Sequence, residues 1–135
     1  MTDKTVLFTD FTWPAPDIEV AVLKEVNAKL LLAPSSDEST LIELVAQADA
    51  ILTCFAHVTE SVIRAGNKLQ VIGRYGIGVD NIDVSTATSL EIPVTYVPAY
   101  CVDEVAEHTL GFVLSLARKI ALYDHAVRQG SWNLQ

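Results

Sequence analysis

Short apolar runs alternate along this chain with stretches whose apolar residues recur at helical spacing, and that rhythm restricts it to α/β architectures. The runs cover residues 5–9, 29–33, 50–54, 69–73 and 92–97, each rich in Val, Ile or Leu and each the length of a buried strand. Between them, Ile18, Val22 and Val26 mark a first helix, Leu41, Leu44, Val45 and Ala48 a second, and Val62, Ile63 and Ala65 a third. Polar residues stand at the helix entries. Ser35, Ser36 or Asp37 suits the second helix, Thr59 the third, and Asn81 or Asp83 a fourth, because their side-chain oxygens accept from amides that open a helix. Gly66 and Asn67 are expected to close the third helix through a left-handed residue. Strand–helix–strand units with short joints predict parallel strands, right-handed crossovers and helices on both faces: a doubly wound α/β sheet of five strands.

Composition agrees with a packed core. The 135 residues and 14.7 kDa are the size of one ordinary domain, with 50% apolar and 19% charged residues. A net charge of -8 and a pI near 4.6 argue against nucleic acid or an anionic membrane as partner. No run approaches the ~18 apolar residues of a membrane span, and the start of the chain does not read as a signal peptide. Cys54 and Cys101 form no CxxC pair and have no histidine cluster beside them, so neither a metal site nor a disulfide framework is expected. Two reduced thiols suit a cytoplasmic protein. Residues 102–120 break the rhythm and read as one long helix, apolar nearly all round, which therefore needs cover from a further domain or a partner chain. The expected division is 1–100 for the sheet domain and 101–135 for the crossing helix and the start of a further domain.

The most informative segment is Gly73-Arg74-Tyr75-Gly76-Ile77-Gly78-Val79-Asp80-Asn81, a glycine-rich turn between a strand and a helix. It imitates a dinucleotide fingerprint but carries Asn81 where the third glycine belongs, and the next strand ends without an acidic residue. After Gly76, the amides of Ile77 and Gly78 can face a small anion with no side chain in the way. A ligand-free tight turn is the other reading, and the sequence leaves both open. In open parallel sheets, ligands lie beyond the carboxyl ends of strands. There this turn is joined by 11–13, by Cys54, Phe55 and Ala56, and by Ala99, Tyr100 and Cys101, an apolar and aromatic surround suited to a small organic acid. Arg74 either steers the anion or pairs with a carboxylate. Among the histidines, His57 stands near a strand end, while His108 and His125 lie in helical patterns as surface or interface residues. Asp103, Glu104 and Glu107 suit the first turns of the long helix by their charge.

The run LQVIGRYGIGVDNIDVSTATSLEIPVTYVP followed by YCVDEVAEHTLGFVLSLAR resembles the D-isomer-specific 2-hydroxyacid dehydrogenases, and Arg128-Gln129-Gly130-Ser131-Trp132 is similar to that family's R-x-G-x-W. The YCVDEVAEH stretch resembles the branch of the C-terminal-binding proteins, with phosphoglycerate dehydrogenases close in pattern. The resemblance implies a flavodoxin-like substrate domain facing a Rossmann domain that binds NAD, or NADP, across a cleft. It further implies that the amides of Ile77 and Gly78, with Gly76 and Arg74 beside them, hold the substrate carboxylate. Cys54 and Phe55 would line the substrate side, Tyr100 and Cys101 would approach the substrate, and Val105 would reach toward the nicotinamide. The helix over 102–120 would contribute to a homodimer. The family's catalytic arginine, acid and histidine lie beyond its Rossmann fingerprint, and no residue here is expected to replace them. The chain then reads as the substrate-binding part of an oxidoreductase that interconverts a D-2-hydroxy acid and its 2-keto acid, silent by itself. A corepressor-like binding protein and a free-standing small-acid module are the alternatives.

Overall fold

A computed structural model describes residues 4–132. Its elements run β1 (Lys4–Phe8), α1 (Asp17–Glu25), β2 (Ala28–Leu32), α2 (Glu38–Val45), β3 (Ala50–Thr53), α3 (Glu60–Ala65), β4 (Val71–Arg74), α4 (Val84–Ser89), β5 (Val94–Thr95), α5 (Val102–Ala117) and α6 (Ile120–Arg128). The chain divides into two compact units, the first ending at Pro98 and the second beginning at Ala99.

In the first unit all five strands are parallel, in the order β2-β1-β3-β4-β5. This is a doubly wound sheet, as the rhythm predicts, in the flavodoxin-like order that the family resemblance implies. Right-handed crossovers put α1 on one face and α2, α3 and α4 on the other, because the chain moves one way from β1 to β2 and the opposite way afterwards. Side chains alternate across each strand. Leu7, Ile51 and Ile72 point toward α2 to α4 and join Leu41, Val45, Val62 and Ile63 in the main core. Phe8 points the other way, toward α1, where it meets Phe11 at 5.2 Å, Trp13 at 5.8 Å and Tyr75 at 5.5 Å between ring centroids. Ile18, Val22 and Val26, expected to mark the packed side of the first helix, are exposed, and Glu19 and Leu23 are its partly buried positions.

The caps follow the sequence in part. Thr59 accepts from the Val62 amide and Asp83 from the Thr86 amide, while Ser35 accepts from the Asp37 amide ahead of α2. Gly66 is not left-handed as expected: its φ is -82°, and its smallness is what matters, since a Cβ there would lie 3.0 Å from Leu69 Cβ and 3.1 Å from Val45. Among the described residues, the non-glycine left-handed positions are Asn27, Glu91 and Lys119. β5 is shorter than 92–97. Ile72 donates to the Pro93 carbonyl and pairing ends at Thr95, after which the Val97 amide bonds the carbonyl of Gly76, so the strand end is drawn into the glycine turn.

The second unit corrects the reading of one helix over 102–120. α5 stops at Ala117, Lys119 turns left-handed at φ 53°, and α6 starts at Ile120. The reversal has no Gly or Pro to mark it. Gly130, at φ 76°, then closes α6, with its amide on Val127 and that of Ser131 on Ala126, a paired closure that a left-handed glycine permits. No residue of α5 is buried, so the burial expected on more than one side does not occur within the described chain. Among the described residues, no helix is long and apolar enough to cross a membrane.

Candidate functional site

The strand order reverses between β1 and β3, and in such sheets the crevice beyond the carboxyl ends of these two strands is where ligands bind. Here a side chain of the protein takes up the loop amides that face it. Asp10, two residues past β1, accepts from the amides of Cys54 at 3.0 Å, Phe55 at 2.7 Å and Ala56 at 3.1 Å, and from the Thr9 hydroxyl at 2.8 Å. Burial pushes its carboxyl up, but the three amides and Thr9 outweigh burial and hold it below the usual carboxylate range. The sequence reading missed Asp10. Its one signal was a carboxylate directly after a buried strand.

The loop after β3 is then joined to the glycine turn. Thr53 Oγ1 donates to the Ala56 carbonyl at 3.1 Å, and Asn81 Nδ2 donates to the same carbonyl at 2.9 Å. The Val58 amide bonds the Asn81 carbonyl at 2.8 Å. Asn81 Oδ1 accepts from Arg74 Nε at 3.3 Å, while Arg74 Nη1 also donates to the Tyr75 carbonyl. The guanidinium carbon stands 5.8 Å from the centroid of the Phe55 ring, an arrangement favoured by the ring's negative face. Among the described residues, Arg74 pairs with no carboxylate.

Gly76 adopts φ 155°, a region that strains residues bearing a Cβ, and a Cβ there would overlap Arg74 Nη1. This bend leaves Ile77 and Gly78 exposed, and among the described residues neither amide meets an acceptor. Asp80 lies close by, 2.7 Å from where a Cβ of Gly78 would sit. Phe55 is 62% exposed over Arg74, whereas Cys54 is buried beneath it. Burial and the Asp10 charge push the Cys54 thiol up, with Arg74 offsetting part of this, which disfavours its thiolate. The first unit thus gathers Cys54, Phe55, Arg74, Gly76, Ile77 and Gly78 in one place.

Beneath the turn, the Tyr75 hydroxyl donates to Glu19 Oε1 at 3.0 Å and ties α1 to the site. Burial and the Glu19 bond push the Tyr75 phenol up to about 12, so it stays protonated. His57 is exposed and lines a cavity of about 410 Å³ with Asp10, Ser36, Asp37, Glu38, Phe55 and Ala56. Tyr100, Cys101 and Val105 belong to the second unit. There Cys101 is the residue before α5, and Tyr100 and Val105 are exposed. His108 packs edge-on against Phe112 at 4.4 Å, and His125 is exposed on α6.

Does the glycine turn fit a dinucleotide? Asn81 is 8% exposed and spends its side chain on Ala56 and Arg74, where a third glycine would let a helix close on a pyrophosphate. The turn does not fit that group. Among the described residues, no cluster of three His, Cys, Asp or Glu is arranged to hold a metal ion.

The family model described as "D-isomer specific 2-hydroxyacid dehydrogenase, catalytic domain" matches residues 6–131. The chain belongs to that family. It is similar to the D-3-phosphoglycerate dehydrogenase of Synechocystis sp., with 38% identity over 85% of this chain and 21% of that protein. It also resembles the glyoxylate reductase of Thermofilum pendens, with 36% identity over 87% of this chain and 36% of that protein. The chain therefore spans about a fifth to a third of these relatives' lengths. Among solved structures, the PH0520 protein of Pyrococcus horikoshii has a TM-score of 0.77 at 28% identity, covering 98% of this chain and 39% of that one. The D-lactate dehydrogenase of Aquifex aeolicus, solved with NAD and lactic acid, shares the fold with a TM-score of 0.79 at 22% identity, covering 98% and 39%.

Asp10→Ala is expected to cost about 2 kcal/mol at pH 7, because three amides lose a charged acceptor at a partly solvated position. The Asp10 carboxyl is held lower when folded than its unstructured value of 3.8, so its contribution is complete above that value and is lost as pH falls through the folded one. In urea unfolding, the gap between wild type and variant should narrow as pH is lowered below about 4. A gap that stays constant from pH 7 down to acid would contradict this role.

Proposed function

We propose that this chain is the substrate-binding part of an NAD-dependent oxidoreductase that interconverts a D-2-hydroxy acid and its 2-keto acid. One observation carries the reading: among the described residues the amides of Ile77 and Gly78 meet no acceptor, and they follow Gly76, which lies against a guanidinium that pairs with no carboxylate, at the carboxyl end of a parallel sheet. Two fixed donors and one positive charge match a carboxylate. Family membership supports an acid as ligand, and relatives are named for 3-phosphoglycerate and glyoxylate.

In this reading the Ile77 and Gly78 amides orient the acid, Arg74 neutralises it, and Phe55 shields it from water. Tyr100, Cys101 and Val105 are assigned to the substrate and nicotinamide side through their family positions. NAD is assigned to a part of the protein outside these residues, since the glycine turn is not shaped for a pyrophosphate; solved relatives bound to NAD support it as the cofactor. Hydride transfer needs donor and carbon held in contact, and these residues supply one side of that contact.

Two measurements test this. Pyruvate or glyoxylate titrated into the chain should move the Ile77 and Gly78 amide resonances selectively, while the chain with NADH and 2-keto acids shows no turnover. The absence of any shift would remove the site, and turnover by the chain would refute its silence.

We also propose that α5 forms a homodimer contact, supported by Val105, Phe112, Val113 and Leu116, exposed apolar residues on a helix with nothing buried. Sedimentation velocity should report a dimer that Phe112→Asp converts to a monomer; a monomeric wild type would contradict the contact.

A further inference from the structure

The acid-binding reading leaves two kinds of substrate: an acid with one negative charge, and an acid with a second anionic group such as a phosphate. We infer that the site selects a 2-oxo or 2-hydroxy acid with a single negative charge and an apolar side chain. The inference rests on that reading and sharpens it.

Charge points this way first. The segments beyond the strands at the carboxyl edge, residues 9–16, 33–37, 54–59, 75–83 and 96–98, contain no lysine and no arginine. Arg74, the last residue of β4, is the one permanent cation there, and His57 is the other basic side chain. The same segments carry Asp10, Asp37, Asp80 and Asp83. Asp10 is held ionised on its amides, and Asp80 lies against Gly78. Arg74 can offset the carboxylate that the Ile77 and Gly78 amides receive. A second anionic group would meet carboxylates and, His57 apart, no further basic side chain of these segments.

Geometry points the same way. The Asp10 carboxylate already occupies the amides of residues 54–56, which are thereby closed to a phosphate. The group presented instead is Phe55, an exposed ring beside the guanidinium that holds the carboxylate. A substrate side chain extending over that ring gains by losing water from apolar surface. Charge and geometry together favour an unphosphorylated acid with a hydrocarbon tail.

The test follows the Ile77 and Gly78 amide resonances of the 135-residue chain at low ionic strength, with pyruvate, phenylpyruvate and 3-phosphoglycerate as probes. Phenylpyruvate should bind about tenfold more tightly than pyruvate, and 3-phosphoglycerate about tenfold more weakly than phenylpyruvate. Phe55→Arg should reverse the order by adding a cation and removing the ring, and Phe55→Ala should bring phenylpyruvate down to the level of pyruvate. Because Phe55 is exposed, neither substitution cuts into the core. If wild type binds 3-phosphoglycerate as tightly as phenylpyruvate, or if Phe55→Ala leaves phenylpyruvate unchanged, the inference is overturned while the anion site stands. If no acid moves either amide, the site falls and the inference falls with it.

Discussion

The bond from the Asp10 carboxylate to three successive amides organises the edge of the sheet that carries the site. It spans the reversal between β1 and β3, where the sheet would otherwise leave donors open to solvent. With residues 54–56 turned toward Asp10, the Ala56 carbonyl receives both Thr53 and Asn81. Asn81 in turn orients Arg74, and Arg74 lies over Phe55 and against Gly76. Each step is a polar contact in a half-buried setting, where satisfied donors rigidify and unsatisfied ones cost stability. The amides that meet no acceptor among the described residues are those of the next turn along the sheet, at Ile77 and Gly78.

A second layer of support comes from the opposite face. Phe8, Phe11, Trp13 and Tyr75 stack beneath the turn, with Trp13 and Tyr75 5.2 Å apart, and Tyr75 reaches Glu19 on α1. The aromatic residues that the sequence places after β1 do gather near the site, but as a packed floor under it. Phe55 remains an exposed ring at that edge.

Much of this was readable from residue pattern. Buried parallel strands announce themselves as unbroken Val, Ile and Leu runs, so four strands fall close to their expected ends, and their parallel pairing with helices on both faces follows from the strand–helix alternation. Thr59 and Asp83 were legible as caps because a short oxygen-bearing side chain before an apolar stretch has a local reason to be there. Other features depend on distant partners. Gly66 is needed for the approach of Leu69 and Val45, which no local pattern reveals. Asp10 gains its role from a loop more than forty residues away in sequence. Lys119 breaks the long helix with no breaker residue, so periodicity alone runs straight through it.

The central claim is that the acid sits on the Ile77 and Gly78 amides while Asp10 keeps those of residues 54–56. A crystal structure of the chain with phenylpyruvate tests this most directly. The claim predicts the ligand carboxylate within hydrogen-bond distance of the Ile77 and Gly78 amides and beside Arg74, with the three Asp10 bonds intact. A ligand carboxylate seated on the amides of Cys54, Phe55 and Ala56, with Asp10 displaced, would contradict it.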